Sequence, residues 1–385
     1  MEEKKVVSVC GLIKEDHMKM KLRNIICCLG LMVFSVILSG CVGRGQTPGG
    51  LSSITLMTWN VHNLFDGDDE GNLYAEFKQS AGWSQEKYLG RINTISDAIG
   101  GIEPLPDIII LQEIESLQTL EDIALALKRD FSYCQFASNP GGIGLGIISR
   151  FPLSDVKTHS ITTGGITTPR PVLEARAQTQ HGDFIIMACH WKSKVGGEEA
   201  TEFNRRASAM AIVRRVQEIW KSEPELGVII ASDLNENHDE FSRRGSDVIC
   251  ALLPDAPLSA RLANSVQKDF IVISGNKPPL PEYFPDETVV FYSPWVNELE
   301  NGSYLYKNNC ETIDHILVSG HFFDNSGLEY EKTTVLNYDP FTDPDGNPVS
   351  YNARTGYGLS DHLPLLVTLF FDSGGLGVKR VEDGL

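Results

Sequence analysis

The chain has 385 residues and carries 51 acidic against 33 basic side chains, a formal net charge of −18. Residues 1–40 hold six cations and four anions, so removing them would take the charge to −20. A protein this acidic has no global attraction for nucleic acid or an anionic membrane, and any anionic ligand must be drawn locally.

At the N-terminus, Lys19, Lys21 and Arg23 precede an apolar run from Ile25 to Leu38, followed by Ser39-Gly40-Cys41. That order is a basic region, an apolar region too short to span comfortably as a stop-transfer helix, and small residues at a cleavage point. Leu38-Ser39-Gly40-Cys41 resembles the bacterial lipobox, whose cysteine is lipidated and becomes the first mature residue. An uncleaved single-pass anchor is the alternative. Residues 1–17 sit ahead of this signal, and Met18 or Met20 would make a more ordinary start. Val42 to Gly50 is glycine-rich and reads as a tether. The expected organisation is a lipoprotein signal over 1–40, a tether over 41–50, one domain over 51–372 and a tail over 373–385. That places the protein at the cell envelope, anchored to a bilayer through Cys41 and facing periplasm or exterior.

Beyond residue 50 there is length enough for one large core. Short β-rich apolar runs alternate with amphipathic stretches: Ile54–Val61, Asp107–Leu111, Gly144–Ser149, Phe184–Trp191, Gly227–Ser232, Thr312–Val318 and Leu363–Phe370. Most are apolar on both alternating faces, as in strands covered on both sides. One helix is expected from Ser84 as N-cap, with Tyr88, Ile92, Ile95 and Ile99 inward, stopping at Gly100-Gly101. A second starts near Ser116 with Leu117, Leu120, Ala124 and Leu127 inward. A third, near Glu202–Trp220, buries Phe203, Ala207, Met210, Val213 and Trp220. The segment 250–310 reads as an elaborated loop region. Together these predict a layered α/β or α+β sandwich. Cys134, Cys189, Cys250 and Cys310 have no zinc-like spacing, and leave open one or two disulfides or free thiols.

The strands end unusually. Asn60 closes the first run, Gln112-Glu113 the second, His190 the fourth and Asp233-Leu234-Asn235 the fifth. Thr312-Ile313 meets Asp314-His315, and Ser360-Asp361-His362 opens the last run. Singly, an acid after a strand is most often a turn or cap, and a lone histidine is most often structural. Six such termini in series would converge on one pocket if the strands share an edge.

Trp59-Asn60-Val61, Leu111-Gln112-Glu113, His190-Trp191-Lys192-Ser193, Asp233-Leu234-Asn235, Ile313-Asp314-His315-Ile316 and Ser360-Asp361-His362-Leu363-Pro364 resemble the ordered motifs of the endonuclease/exonuclease/phosphatase superfamily. The resemblance spans about residues 54–371. It implies a four-layered, deoxyribonuclease-like sandwich of two packed mixed β-sheets flanked by helices, and hydrolysis of a phosphoester by an in-line water. It implies Mg²⁺, Mn²⁺ or Ca²⁺, since oxygen donors suit a hard cation that neutralises the phosphate. By the same resemblance Glu113 is the chief metal ligand, with Asn60 and Asp361 beside it. Asp233 orients or deprotonates the attacking water, and Asn235 holds that water or a phosphate oxygen. His190 and His362 form the histidine pair that stabilises the pentacoordinate state and protonates the leaving oxygen, with Asp314 buttressing one imidazole.

Some positions depart from the pattern or admit two readings. Where several members have an aspartate two residues after the first asparagine, this chain has His62, read as a surface loop residue. Arg170 resembles a phosphate-contacting arginine, with a strand-edge salt bridge as the alternative. His315 should point away from the site. Lys192, Lys194, Arg205 and Arg206 are the candidate cationic rim for a polyanionic strand, the alternative being a solvated helix face. The expectation is a monomeric nuclease acting on nucleic acid. A sphingomyelinase-like phosphodiesterase stays open on the aromatic segment Pro281–Trp295, as do a phosphatase and a binding protein that merely keeps the fold.

Overall fold

The computed structural model describes residues 52–371 apart from 69–72, 164–165, 169 and 264–268, so the expected signal, Cys41, tether and tail lie outside the described residues. Strands are numbered along the chain. Six form a mixed sheet in the order β17 (Glu329–Val335), β18 (Leu365–Phe371), β1 (Ser52–Leu64), β2 (Ile108–Ile114), β4 (Gly144–Ser149) and β3 (Tyr133–Ala137). Eight form a second in the order β11 (Leu252–Pro254), β12 (Ile271–Ser274), β13 (Val290–Tyr292), β16 (Asp314–Val318), β10 (Gly227–Asp233), β9 (Gly182–His190), β8 (Val172–Thr179) and β5 (Leu153–His159). Two small ribbons pair β6 (Thr162–Thr163) with β7 (Ile166–Thr167), and β14 (Tyr304–Tyr306) with β15 (Asn309–Glu311).

Alternation along the strands sets the layers. On β9, Phe184, Ile186 and Ala188 join the large core shared with the first sheet, while Ile185, Met187 and Cys189 join the core on the other face. On β10, Ile229 and Ala231 take the inter-sheet side, and Val228 and Ile230 the outer side. That outer face is covered by α3 (Glu198–Ser222), which contributes Ala207, Ala209, Ile212, Val213, Val216 and Ile219. The first sheet is covered by α1 (Gln85–Gly100) and α2 (Leu117–Ala126). Helix, sheet, sheet and helix make the four layers. Two short helices, α4 (Glu240–Arg243) and α5 (Pro257–Ala263), complete the elements used below.

The expected caps are present: Ser84 accepts from Lys87 N at 3.3 Å and Ser116 from Thr119 N at 3.1 Å. The α1 terminus needs no left-handed glycine, since Gly101 stays right-handed at φ −81°. Three expectations are corrected. Leu117 and Phe203 are 42% and 51% exposed, because each lies outside the stripe its helix turns to the sheet. Segment 250–310 is not a loop region: β11, β12 and β13 extend the second sheet, and Leu253, Phe270, Val272 and Phe284 pack into a third core. These strands are three or four residues long, too short for their alternation to stand out among Pro, Asn and Gly. In the aromatic segment Phe284, Phe291, Tyr292 and Trp295 are buried, and Tyr283 is exposed. Cys134, Cys189, Cys250 and Cys310 are free thiols.

Close approach explains two glycines on β4. A Cβ on Gly144 would stand 2.3 Å from the Ala137 carbonyl oxygen, and one on Gly146 would meet Leu120 of α2 at 2.4 Å. The Leu120 side chain has freedom to turn, whereas the Ala137 backbone is fixed in the β3–β4 ladder. Gly144→Ala is therefore expected to destabilise the fold by about 1–3 kcal/mol. An unchanged thermal unfolding midpoint would show that β3 is not held this closely.

Candidate active site

β9 and β10 run parallel and end together, and antiparallel β16 begins where they end. The register sets Asp233 opposite both His190 and Asp314. Parity then fixes direction: His190 continues the series Phe184, Ile186, Ala188, and Asp233 the series Ile229, Ala231, so both face the first sheet. Asp314 does the same with Ile316 and Val318, and His315 takes the opposite side.

The first sheet answers from the same end. Asn60 on β1 pairs in register with Gln112 on β2, and both strands then bulge. His62, Asn63 and Glu113 have φ of 57°, 55° and 66°, and Asn235 in the opposite loop has 50°. Left-handed backbone at non-glycine residues costs on the order of 1 kcal/mol or more each, and such residues cluster at sites. Buried Arg91 holds the β1 bulge, donating to the carbonyls of Val61, His62 and Asn63. Its guanidinium lies 3.6 Å from the Tyr351 ring centroid.

Asn60 Nδ2 bridges two carboxylates, Glu113 Oε1 at 3.2 Å and Asp233 Oδ2 at 3.0 Å. Glu113 Oε2 accepts from Asn63 N at 2.7 Å, and Asp233 Oδ1 from Asn235 N at 2.9 Å. His362 Nδ1 meets Asp314 Oδ2 at 2.8 Å, and Ser303 Oγ donates to that oxygen at 2.6 Å. The His362 backbone is held too: its carbonyl accepts from Trp59 Nε1 at 2.9 Å, and its N–H donates to Ser360 Oγ at 3.1 Å. Ser360 Oγ in turn donates to Asn60 O at 2.6 Å, tying the two strands together.

The two histidines are driven apart electrostatically. Burial lowers His190 well below the usual imidazole value, and Arg170, His362 and Lys192 push the same way, so it is neutral at pH 7. Burial also opposes charge on His362, but the charge and hydrogen bond of Asp314, with Asp361 and Asp233, overcome it and raise it to about 10. Burial raises the Asp233 carboxyl to about 7, and Asp314 adds to this against His362, Asn60 and Arg170. His190 Nε2 lies 3.4 Å from Asp233 Oδ2 and 3.8 Å from Glu113 Oε1.

The donor chemistry fits a hard divalent cation. Glu113 and Asp361 offer carboxylate oxygens, and the Asn60 amide oxygen, which accepts from His62 N at 2.9 Å, keeps a second lone pair. Asp233, Asp314 and His362 also bring donor atoms within 4.8 Å of one another. There, however, His362 Nδ1 is already joined to Asp314, so this trio is suited to moving protons rather than to caging an ion.

His190, Asp233, Asp314, His362, Glu113 and Asn60 thus converge, and Asp361 joins them from the rim with His362 Nε2 at 4.0 Å. Asn235 turns its amide to the Trp191 carbonyl at 3.2 Å, an acceptor that Arg170 Nη1 shares. His62 is not a bare surface residue: Nδ1 lies 3.4 Å from Asp361 Oδ1. Arg170 keeps to a carbonyl rather than a salt bridge, and Lys192 Nζ rests on Ser193 and Val195 carbonyls at 3.2 Å each. The cationic rim is corrected. Lys194 is bound to Glu240 at 2.6 Å, Arg206 to Asp269 at 2.6 Å, and Arg205 is buried between Glu202 and Glu236, each at 2.6 Å. Their charge is spent internally. Ser303, Tyr304 and Arg91 escape sequence reading, because a serine before a ribbon or an arginine inside a helix carries no periodic signal.

His315 is fully buried, with Nε2 on the Glu236 carbonyl at 2.8 Å and Nδ1 without a partner. Burial lowers it to about 4. A histidine depressed below its unfolded value favours the folded state most when neutral. Stability is therefore full above about pH 6.5 and is lost as pH falls toward 4, by on the order of 3 kcal/mol. His315→Gln, which keeps a donor, should flatten the decline of unfolding free energy across that window. An equal slope in both proteins would refute the assignment.

A model of the Endonuclease/Exonuclease/phosphatase family matches residues 55–264. No curated protein sequence matches the chain. Among solved structures, it is similar to truncated TDP2 from Caenorhabditis elegans, with 14% identity over 83% of this chain and 98% of that one, at TM-score 0.49. It is similar to an endonuclease/exonuclease/phosphatase family protein from Bacteroides thetaiotaomicron, with 16% identity over 84% and 97% of the chains, at TM-score 0.49. It is also similar to the human Nocturnin catalytic domain with bound sulfate anion, with 16% identity over 83% and 95%, at TM-score 0.48.

Proposed function

The chain belongs to the endonuclease/exonuclease/phosphatase family, whose members are hydrolases of phosphoester bonds, and on that premise we propose that it is a metal-dependent nuclease. The observation that carries the reading is the convergence of two buried histidines on one acidic cluster, His190 Nε2 at 3.4 Å from Asp233 Oδ2 and His362 Nδ1 at 2.8 Å from Asp314 Oδ2. Glu113, Asn60 and Asp361 would hold the divalent cation, Mg²⁺, Mn²⁺ or Ca²⁺, that neutralises the phosphate anion.

The remaining steps belong to side chains. Asp233 takes a proton from the attacking water as its oxygen bonds to phosphorus, a role matched by a carboxyl raised to about 7. Asn235 and Asn60 keep that carboxylate pointed, through contacts at 2.9 and 3.0 Å. His362, held by Asp314, opposes the negative charge of the pentacoordinate state and gives a proton to the oxygen whose bond to phosphorus breaks. His190 offers a ring N–H to a phosphate oxygen. Proton gained by Asp233 and proton lost by His362 leave the site's charge unchanged over the step.

Nucleic acid is favoured over lipid because Arg170 and Lys192 bear on the site with no ion pair among the described residues, while four of the five aromatics of Pro281–Trp295, all but Tyr283, are buried. Plasmid DNA, RNA, sphingomyelin and bis-p-nitrophenyl phosphate should be offered with Mg²⁺, Mn²⁺, Ca²⁺ or EDTA. Nucleic-acid cleavage should require metal, and Glu113→Gln or His190→Ala should each lower it by at least about a hundredfold. Cleavage of sphingomyelin alone would move the enzyme to the phospholipid class, and full activity of Glu113→Gln would discard the metal assignment.

We also propose that the protein is an envelope lipoprotein and a monomer, anchored through Cys41. Sequence order alone supports the anchor. Wild type should enter the detergent phase on partitioning and Cys41→Ser should not. Retention of the variant in that phase would refute lipidation.

A further inference from the structure

β14 and β15 form a hairpin with a two-residue loop, Lys307-Asn308, both at positive φ (49° and 66°). That is the type I′ geometry, whose twist matches the strands it joins and fixes their register. The hairpin is stitched to the site. Leu363 N donates to Ser303 O at 2.7 Å, Tyr304 bridges to His362, and Ser303 Oγ reaches Asp314 at 2.6 Å.

The two tyrosines alternate onto one face, as positions i and i+2 of a strand must. The Tyr304 ring lies 4.4 Å from the His362 ring at 30°. The Tyr306 ring follows 6.5 Å from Tyr304 and nearly parallel to it, at 14°. Tyr306 is 49% exposed, so this aromatic row runs from the catalytic histidine out to solvent. Lys307 Nζ lies 5.0 Å from the Tyr306 centroid. Among the described residues Lys307 forms no ion pair, unlike Lys194 and Arg206, whose charge is committed to Glu240 and Asp269. A flat π-face and a cation without a carboxylate partner stand side by side at the mouth of the site.

We propose that this hairpin is the stacking platform for an unpaired nucleobase next to the scissile phosphate, with Tyr306 bearing the base and Lys307 the adjoining phosphate. The inference rests on the nuclease reading above. Stacking suits any base, since every base has a π-face, and it requires the base to be free of a duplex. Tyr304 is the spacer: pinned against His362, it fixes the distance between the stacked base and the reacting phosphorus. Lys307 would leave the half-exposed ring for the phosphate when a base arrives. The hairpin explains how a chain of net charge −18 can hold a polyanion with few cations: part of the affinity comes from stacking, which salt does not screen.

The test is binding by the full-length Glu113→Gln chain in detergent, which removes cleavage from the measurement. Two fluorescent probes are used, a short dT oligonucleotide and a strand of the same length made wholly of abasic units. Adding Tyr306→Ala should weaken dT binding about tenfold and leave the abasic strand unaffected, while Tyr306→Trp should bind dT like the parent. Lys307→Asn, which suits the left-handed turn, should weaken both strands and lower the salt slope by about one. Thermal unfolding of each variant confirms that the hairpin change has not unfolded the protein. If Tyr306→Ala binds dT as the parent does, or the parent binds both strands alike, the platform is wrong while the nuclease reading stands. If the parent binds neither strand, the nucleic-acid reading falls and the platform with it.

Discussion

Four carboxylates, those of Glu113, Asp233, Asp314 and Asp361, meet at one end of the sandwich, and their mutual repulsion in a poorly solvated space organises what surrounds them. Asp233 and Asp314 are buried and sit opposite one another in register. Burial alone would neutralise them by protonation, as the raised Asp233 carboxyl shows. The fold compensates with directed donors rather than with many cations. Asn60 places one amide between Glu113 and Asp233, and Ser303, Asn63 and Asn235 each donate to a carboxylate oxygen. The charge of His362 is therefore a consequence of its setting. A buried imidazole favours neutrality, and this one is charged because it faces Asp314 at 2.8 Å, with Asp361 and Asp233 near. For His190 burial prevails, with Arg170, His362 and Lys192 acting the same way, even though the Asp233 carboxyl lies 3.4 Å away.

Holding such groups within a few tenths of an ångström requires a rigid support, and a buried ionic cluster supplies one behind the Asp233 loop. Arg205 of α3 is fully buried between Glu202 and Glu236, while Glu202 Oε1 and Glu236 Oε1 both accept the Ala251 N–H. Asn237 adds bonds to Glu240 and to the Thr312 backbone, the latter two residues before Asp314. A buried ion pair adds little net stability over a well-packed apolar pair, yet removing one partner costs several kcal/mol. Its effect here is geometric: it locks the 233–237 loop to helix α3, to the strand after Ala251 and to the approach of β16. The strained residues 62, 63, 113 and 235 tolerate left-handed backbone because such contacts over-determine them.

The site was legible because chemistry is concentrated at strand ends, and a strand end is visible in sequence as an apolar run meeting a polar residue. Period-two parity also separated Asp314 from His315 correctly, since neighbours on a strand must face opposite ways. Legibility failed where spacing does not encode a partner. Arg205 and Arg206 look alike in sequence, yet one lies fully inside the protein and the other binds Asp269 at the surface. Phe203 sits near the start of a helical pattern but off its buried stripe. The strands within 250–310 are too short to show a period. Tyr304 matters through Tyr304–His362 contact across 58 positions of chain, a relation that neither composition nor local pattern contains.

The acidity of the chain then has a physical reading. Lys194, Arg205 and Arg206 are paired with carboxylates, so the acidic surface field opposes a polyanion until it reaches the mouth. Among the described residues, Arg91 and Arg170 rest on carbonyls, Lys192 on carbonyls and Lys307 over a ring. Non-specific affinity for nucleic acid grows with the number of phosphates neutralised, so under the proposed nuclease reading a site with few cations would bind weakly along the backbone. Under that reading selectivity would come from contacts that do not depend on charge, the hydrogen bonds to the reacting phosphate and the stacking proposed beside it. An acidic body with a small cationic and aromatic mouth follows from the same requirement.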